Sequence, residues 1–418
     1  MSTARLLGKG AALSRGGMVV ATSEGPIQFG AVPETIKDTM PTEGGVPAIY
    51  VIPDRMFSAQ QGISLADLEF PIYFNFFARR RKTVCVCTAA QRRAIAAVMR
   101  EAVFGPQKVD VRTEVAFGPV PDLSSEMAYF RKSPFSGQRM ELDDMLEFVV
   151  FDNEDRACVG SVEIRRRRDN KFALRDQGKL LAEVPTDLNV PPPAEEVHGR
   201  VAPFHPPAFG ITFIGTGHGF DPDTMTSGFI IWANHRGILV DPPVNSTEWL
   251  KTQEINPKLI DVVVLTHCHA DHDGGTLQKI LSEGRVRVYT TPTIMGSFVH
   301  KYRQLVGLER KRFETLFDFV PVSIGEPVRI NGAEVLFHYT LHSVPCIGFE
   351  VYYGGKSLIY TSDTLYDPDL FDSLFEAAII DEGERLIDRH GWISLGTSIR
   401  GTEQAEPGAR RGSVRVAA

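Results

Sequence analysis

The run Leu259-Ile-Asp-Val-Val-Val-Leu265 passes directly into Thr266-His267-Cys268-His269-Ala270-Asp271-His272-Asp273-Gly274-Gly275. A short run that is apolar on both sides of its alternation reads as a strand covered on both faces, as in a layered α/β fold. Functional groups in such folds collect at the C-terminal ends of the strands, where this cluster stands. In an extended loop alternate residues point the same way, so His267 and His269 can grip one ion while Asp271 and His272 turn toward a second. Imidazole and carboxylate donors with no thiolate suit zinc, iron or manganese. The chain holds 11 histidines, so three of them within six positions beside an aspartate speak against a chance surface cluster. Gly274 and Gly275 let the backbone pass close to the site before the next helix.

Around this centre the chain divides at a proline-dense stretch. Residues 185–208 contain Pro185, Pro191, Pro192, Pro193, Pro203, Pro206 and Pro207, a density that denies both helix and central strand. The expected organisation is a disordered start (1–23), a separate N-terminal α/β or α+β domain of unknown role (24–190) and a Pro-rich linker (191–208). A C-terminal α/β domain (209–395) and a disordered tail (396–418) follow. In the N-terminal half, residues 47–53 and 83–88 read as buried strands. Thr88 with Gln91 gives a capping-box pattern, followed by the apolar stripe Ile95, Val98, Met99 and Ala102. Strands are also expected at 147–152 and 161–166, and the basic run Arg165–Arg168 before Asp169-Asn170 reads as a solvated hairpin tip. In the C-terminal half the strands are 210–217, 229–232, 237–241, 259–265, 334–340, 348–353 and 357–361, with helices from Thr276 and over 293–316. No internal repeat is evident.

The sequence resembles the metallo-β-lactamase fold hydrolases, and the resemblance covers roughly residues 210–370. Its carriers are His267-x-His269-x-Asp271-His272, His342-Ser-Val-Pro-Cys-Ile-Gly-Phe349 and Thr361-Ser-Asp363-Thr, with Phe213-Ile-Gly-Thr-Gly217 and Leu239-Val-Asp241 as opening strands. The form of the His342 motif is similar to that of the ribonuclease Z and class II cyclic-nucleotide phosphodiesterase branches. The resemblance implies an αββα sandwich and two divalent metal ions, zinc first, with manganese or iron as alternatives. It implies that His267, His269 and His342 bind the first ion, and that Asp271, His272 and a bridging Asp363 bind the second. Asp271 could also accept the nucleophile's proton as the catalytic residue. One feature departs from the family pattern. The last metal histidine has no counterpart in context, because the only histidine after Asp363 is His390, in Asp388-Arg-His-Gly-Trp392.

The implied activity is hydrolysis by a metal-activated hydroxide, on a phosphodiester before other esters, and on a small or cyclic nucleotide before long RNA. Two alternatives stay open. One is a thioester or other carbon-ester hydrolase on the same site. The other is a catalytically impaired binding or regulatory module, since the last metal histidine is missing. A net charge of -7 argues against broad nucleic-acid binding. No apolar run is long enough to cross a membrane, so no membrane partner is expected. Five scattered cysteines suggest a reducing, cytoplasmic setting, although the acid-free first 23 residues are faintly like an organelle transit peptide. His338 reads equally as a group beside the site and as a packed histidine. The basic positions 301–312 read as an exposed helix face or as phosphate contacts.

Overall fold

A computed structural model describes residues 10–188 and 204–365, with short stretches at 5–6, 372–373, 375–376 and 414–416. In the C-terminal half, Phe209–Gly215, Gly228–Ala233, Arg236–Val240, Val262–Val264, Arg287–Thr290 and Asp318–Pro321 lie side by side in that order. The first two junctions are antiparallel and the last three parallel. Every residue of Gly228–Ala233 and Val262–Val264 is buried, which requires cover on both faces. Leu277, Ile280 and Phe298, from helices Thr276–Glu283 and Pro292–Val306, cover one face. The other packs on the antiparallel sheet Val328–Ile330, Ala333–Thr340, Cys346–Tyr353 and Lys356–Tyr360, with the Phe229 ring 4.7 Å from that of Tyr360.

The N-terminal half repeats this succession. Gly10–Ala12, Met18–Thr22, Gly25–Phe29, Ile49–Val51, Thr83–Cys87 and Leu146–Val150 again pair as two antiparallel and then three parallel junctions. An antiparallel meander, Arg156–Val159, Val162–Arg167, Lys171–Asp176 and Lys179–Pro185, follows as in the other half. Strand alternation divides the burial. Ile49, Val51 and Val86 face the meander core of Val162, Ile164, Phe172 and Leu174, while Tyr50, Ile52, Cys85 and Cys87 join the helix-side core with Ile95, Val98 and Met99. The duplication escapes a residue-level reading because apolar periodicity, rather than residue identity, carries the shared topology. Where Val262–Val264 runs on into the histidines, Ile49–Val51 runs on into Ile52-Pro53-Asp54-Arg55, so this copy carries none of those ligands.

The helix Ala89–Phe104 begins at the expected Thr88–Gln91 capping box. It packs on Pro292–Val306, its counterpart in the other half, and Ser297 Oγ donates to the buried Glu101 across the contact at 2.6 Å. One buried cluster runs from Ala31 to Tyr360 through both halves. The expected disordered start is corrected by Met18–Thr22, which pairs with Gly25–Phe29 and buries Val20 against Ile27. Apolar alternation over five residues is enough to tie it down. Likewise Val414–Val416, within the expected disordered tail, runs parallel to Leu358–Tyr360. Most of the 191–208 linker, His390 and the rest of the tail lie outside the described residues. Among the described residues no helix is long and apolar enough to cross a membrane.

Candidate metal centre

Strand Val262–Val264 ends at the loop that carries the motif, and His269 immediately precedes the short helix Ala270–Asp273. The second sheet brings the other groups to the same rim. His342 lies just past Ala333–Thr340, and Asp363 follows Lys356–Tyr360 after Ser362, whose φ of 53° turns the chain inward. One potential ligand atom from each of His267, His269, His342 and Asp363 lies within 4.8 Å of all the others. His342 Nε2 and His269 Nδ1 are 2.9 Å apart, and the His267 ring stands 4.1 Å from that of His272. Asp363 faces both ways. Its Oδ2 lies 3.9 Å from His267 Nε2 and 3.8 Å from His342 Nε2, while Oδ1 lies 3.3 Å from His272 Nε2. Asp271 Oδ2 is 3.9 Å from the same His272 nitrogen. All six residues singled out in the sequence therefore meet in one place.

The residues fit a divalent cation. His267 Nε2 is buried and has no hydrogen-bond partner, which is costly unless something else occupies its lone pair. Burial, then the neighbouring histidines, hold His267 and His269 well below the usual imidazole range, and burial pushes His342 down to about 4. All three stay neutral at pH 7, the form that ligates. Burial alone would raise Asp363, but His272 outweighs it and holds that carboxyl well below the ordinary carboxylate range.

The surrounding groups fix this geometry. Asp241, fully buried at the end of Arg236–Val240, takes hydrogen bonds from the Thr266 amide (2.9 Å) and hydroxyl (2.6 Å) and lies 2.9 Å from His272 Nδ1. A carboxylate on the far nitrogen sets the tautomer and orientation of a ligand histidine. Ser362 Oγ donates to Thr266 Oγ1 at 2.7 Å and ties the Asp363 turn to the same loop. Lys301 is fully buried. Its Nζ donates to Asp273 at 2.7 Å and to the Cys268 carbonyl, so it does not sit on an exposed helix face. Glu69 comes from the N-terminal half. Its Oε2 accepts from the Ala270 amide at 3.2 Å, and its Oε1 lies 3.7 Å from His269 Nε2. Sequence reading passed over Glu69, whose signal is an acid beside the apolar run Phe70-Pro-Ile-Tyr-Phe74. It also passed over Asp241 as a site residue, although an acid closing a buried strand points the same way.

The other histidines and cysteines near the centre are held apart from it. His338 packs over Gly348, where an added Cβ would lie 2.6 Å from its Nε2, and burial pushes it down to about 4. His218 is exposed and accepts the Phe220 amide through Nδ1 at 3.1 Å, closing a turn. Cys268 points away from the ligands toward the Ile294 carbonyl. Cys346 is buried 3.6 Å from His267 Nδ1, and burial pushes its thiol up to about 12, so it remains protonated.

Residues 209–383 match the family model described as anti-Pycsar protein Apyc1. The chain is 32% identical, over 88% of its own length and 57% of the relative's, to the cGMP-dependent 3',5'-cGMP phosphodiesterase A of Dictyostelium discoideum. It is 29% identical, over 85% of its length and 37% of the relative's, to the cAMP/cGMP-dependent 3',5'-cAMP/cGMP phosphodiesterase B of the same organism. It thus spans about half of the first relative and less of the second. Among solved structures, the metallo-β-lactamase fold protein YhfI from Bacillus subtilis aligns with a TM-score of 0.32 at 22% identity, over 38% of this chain and 64% of that one. The short form of human tRNase Z aligns at 0.30 and 19%, over 40% and 74%. The paired sheets and the ligand-bearing rim have the arrangement of the metallo-β-lactamase fold.

Proposed function

We propose that the chain hydrolyses a small phosphodiester, a 3',5'-cyclic nucleotide before others, at two divalent ions. His267, His269 and His342 would hold one ion, Asp271 and His272 the other, and Asp363 would be shared. Zinc is the first expectation, with manganese or iron as alternatives. The observation that carries the reading is the two-faced placement of Asp363, one oxygen toward His267 and His342 and the other toward His272. Bound ions would supply a nucleophile from water near neutral pH and neutralise charge gathering on the phosphorus.

The chain's own residues do the rest. Asp271 is placed to take the nucleophile's proton at its carboxylate, and burial raises that carboxyl above its ordinary range, which favours proton uptake. Asp241 holds His272 through Nδ1 and leaves Nε2 directed at Asp363. The names of the Dictyostelium relatives support a cyclic nucleotide as the first substrate to try. The test is a panel of cyclic nucleotides, a bis-aryl phosphate, a precursor transfer RNA and a thioester, with metal content measured on the same preparation. Turnover of a cyclic nucleotide that disappears with the metal is expected. Turnover of the thioester alone would overturn the phosphodiester reading. Less than one ion per chain, with no turnover under added zinc or manganese, would favour a non-catalytic binding module.

A further inference from the structure

Beside the metal centre opens a cavity of about 580 Å³, and His269 and Ser343 form its edge on the catalytic side. Its other walls come mainly from the N-terminal half, the copy of the fold that lacks the ligands. Tyr73, Phe74 and Phe77 stand on the helical segment 69–78, opposite Phe104, Met127 and Phe130. The Tyr73 ring meets His269 edge-on at 6.4 Å, so the aromatic wall is continuous with a metal-facing histidine. Phe74 is half-buried and Phe77 exposed, an unusual state for large apolar rings in a recess. The one full charge in the lining, Arg131, is engaged elsewhere. It lies over the Phe104 ring at 4.1 Å, donates to the Met140 carbonyl at 2.7 Å and pairs with Glu141.

A recess of this size, lined by rings and methionines and next to a reaction centre, suits the uncharged flat part of a ligand whose polar part is held by the metals. Resting on the phosphodiesterase reading above, we infer that this cavity is the nucleobase subsite. The ligand-free half of the chain would then select the substrate for the ligand-bearing half. The base would stack on the Tyr73–Phe74–Phe77 wall while the cyclic phosphate reaches the ions past His269. The lining offers few hydrogen-bonding groups, so recognition by stacking predicts weak discrimination between adenine and guanine.

The test compares kcat/KM for cyclic GMP with that for the same 3',5'-cyclic ribose phosphate lacking its base, in the wild-type chain and in Phe74→Ala and Phe77→Leu. The expected result is a wild-type preference of at least about 30-fold for the nucleotide, cut about tenfold in Phe74→Ala and less in Phe77→Leu. Equal turnover of the two compounds by the wild-type chain would overturn the subsite while leaving the phosphodiesterase reading intact. An unchanged preference in both variants would do the same, as would faster turnover of a long-chain alkyl phosphodiester than of either compound. Failure of the metal-loaded wild-type chain to cleave any phosphodiester would overturn both.

Discussion

Replacing Lys301 by Met should destabilise the protein through the metal loop, although Lys301 touches no ligand side chain. Lys301 and Asp273 are both fully buried, 2.7 Å apart, with Tyr302 OH donating to the second Asp273 oxygen at 2.7 Å. Removing one partner of such a pair leaves a buried charge uncompensated, at a cost of about 3–5 kcal/mol. With an unfolding entropy near ~2.1 cal/mol/K per residue over 418 residues, the whole chain has about 0.9 kcal/mol/K. The expected fall in melting temperature is then roughly 3–6 °C. The core running through both halves justifies treating the chain as one unit. Calorimetry at fixed scan rate on Lys301→Met, Asp273→Asn and the double variant reads the effect. The double variant should be less destabilised than the sum of the singles by at least about 1 kcal/mol. A fall under 1 °C in Lys301→Met, or strict additivity, would refute the reasoning.

Three further outcomes follow from the same geometry. His269→Ala should lose the ion held with His267 and His342, read as metal per chain by elemental analysis; full retention would show the ligand assignment to be wrong. Gly348→Ala should cost about 1–3 kcal/mol by urea unfolding, because its Cβ would meet His338 Nε2 at 2.6 Å and the Tyr360 carbonyl at 2.8 Å. The third concerns pH. Unfolded His338 takes up a proton below about pH 6.5, whereas in the fold burial pushes it down to about 4. Its neutral form is thus favoured in the fold, and the stability it permits is present above about pH 6.5 and lost as pH falls toward 4. His338→Asn should shallow that acid limb of the unfolding midpoint, and an identical slope in both proteins would count against the assignment.

What could be read from the sequence was local. The Thr88 cap, the apolar strands and the motif loop depend on neighbours within a few positions, and the structure reproduces them with end shifts of up to three residues. His342 and Asp363 were legible only by resemblance, since 70 and 91 residues separate them from His272. Lys301 was misplaced for the opposite reason. Its basic neighbours Arg303, Arg310 and Arg312 suggest a solvated face, and nothing nearby in sequence reveals Asp273, 28 residues away. Glu69 and the aromatic wall are harder still. They reach the metal centre from the other half of the chain, and a duplicated topology that shares no evident residue pattern gives no sign of which half will line the site of the other.

The proposed function rests on these six residues forming one dinuclear centre that cleaves a phosphodiester. Its most direct test is to strip the protein of metal, add zinc or manganese stepwise, and follow cyclic GMP hydrolysis against bound metal. Activity should rise with the metal bound, reach its limit at two ions per chain, and be lost in Asp363→Asn. Two bound ions with no hydrolysis of any phosphodiester, or full activity in Asp363→Asn, would contradict it.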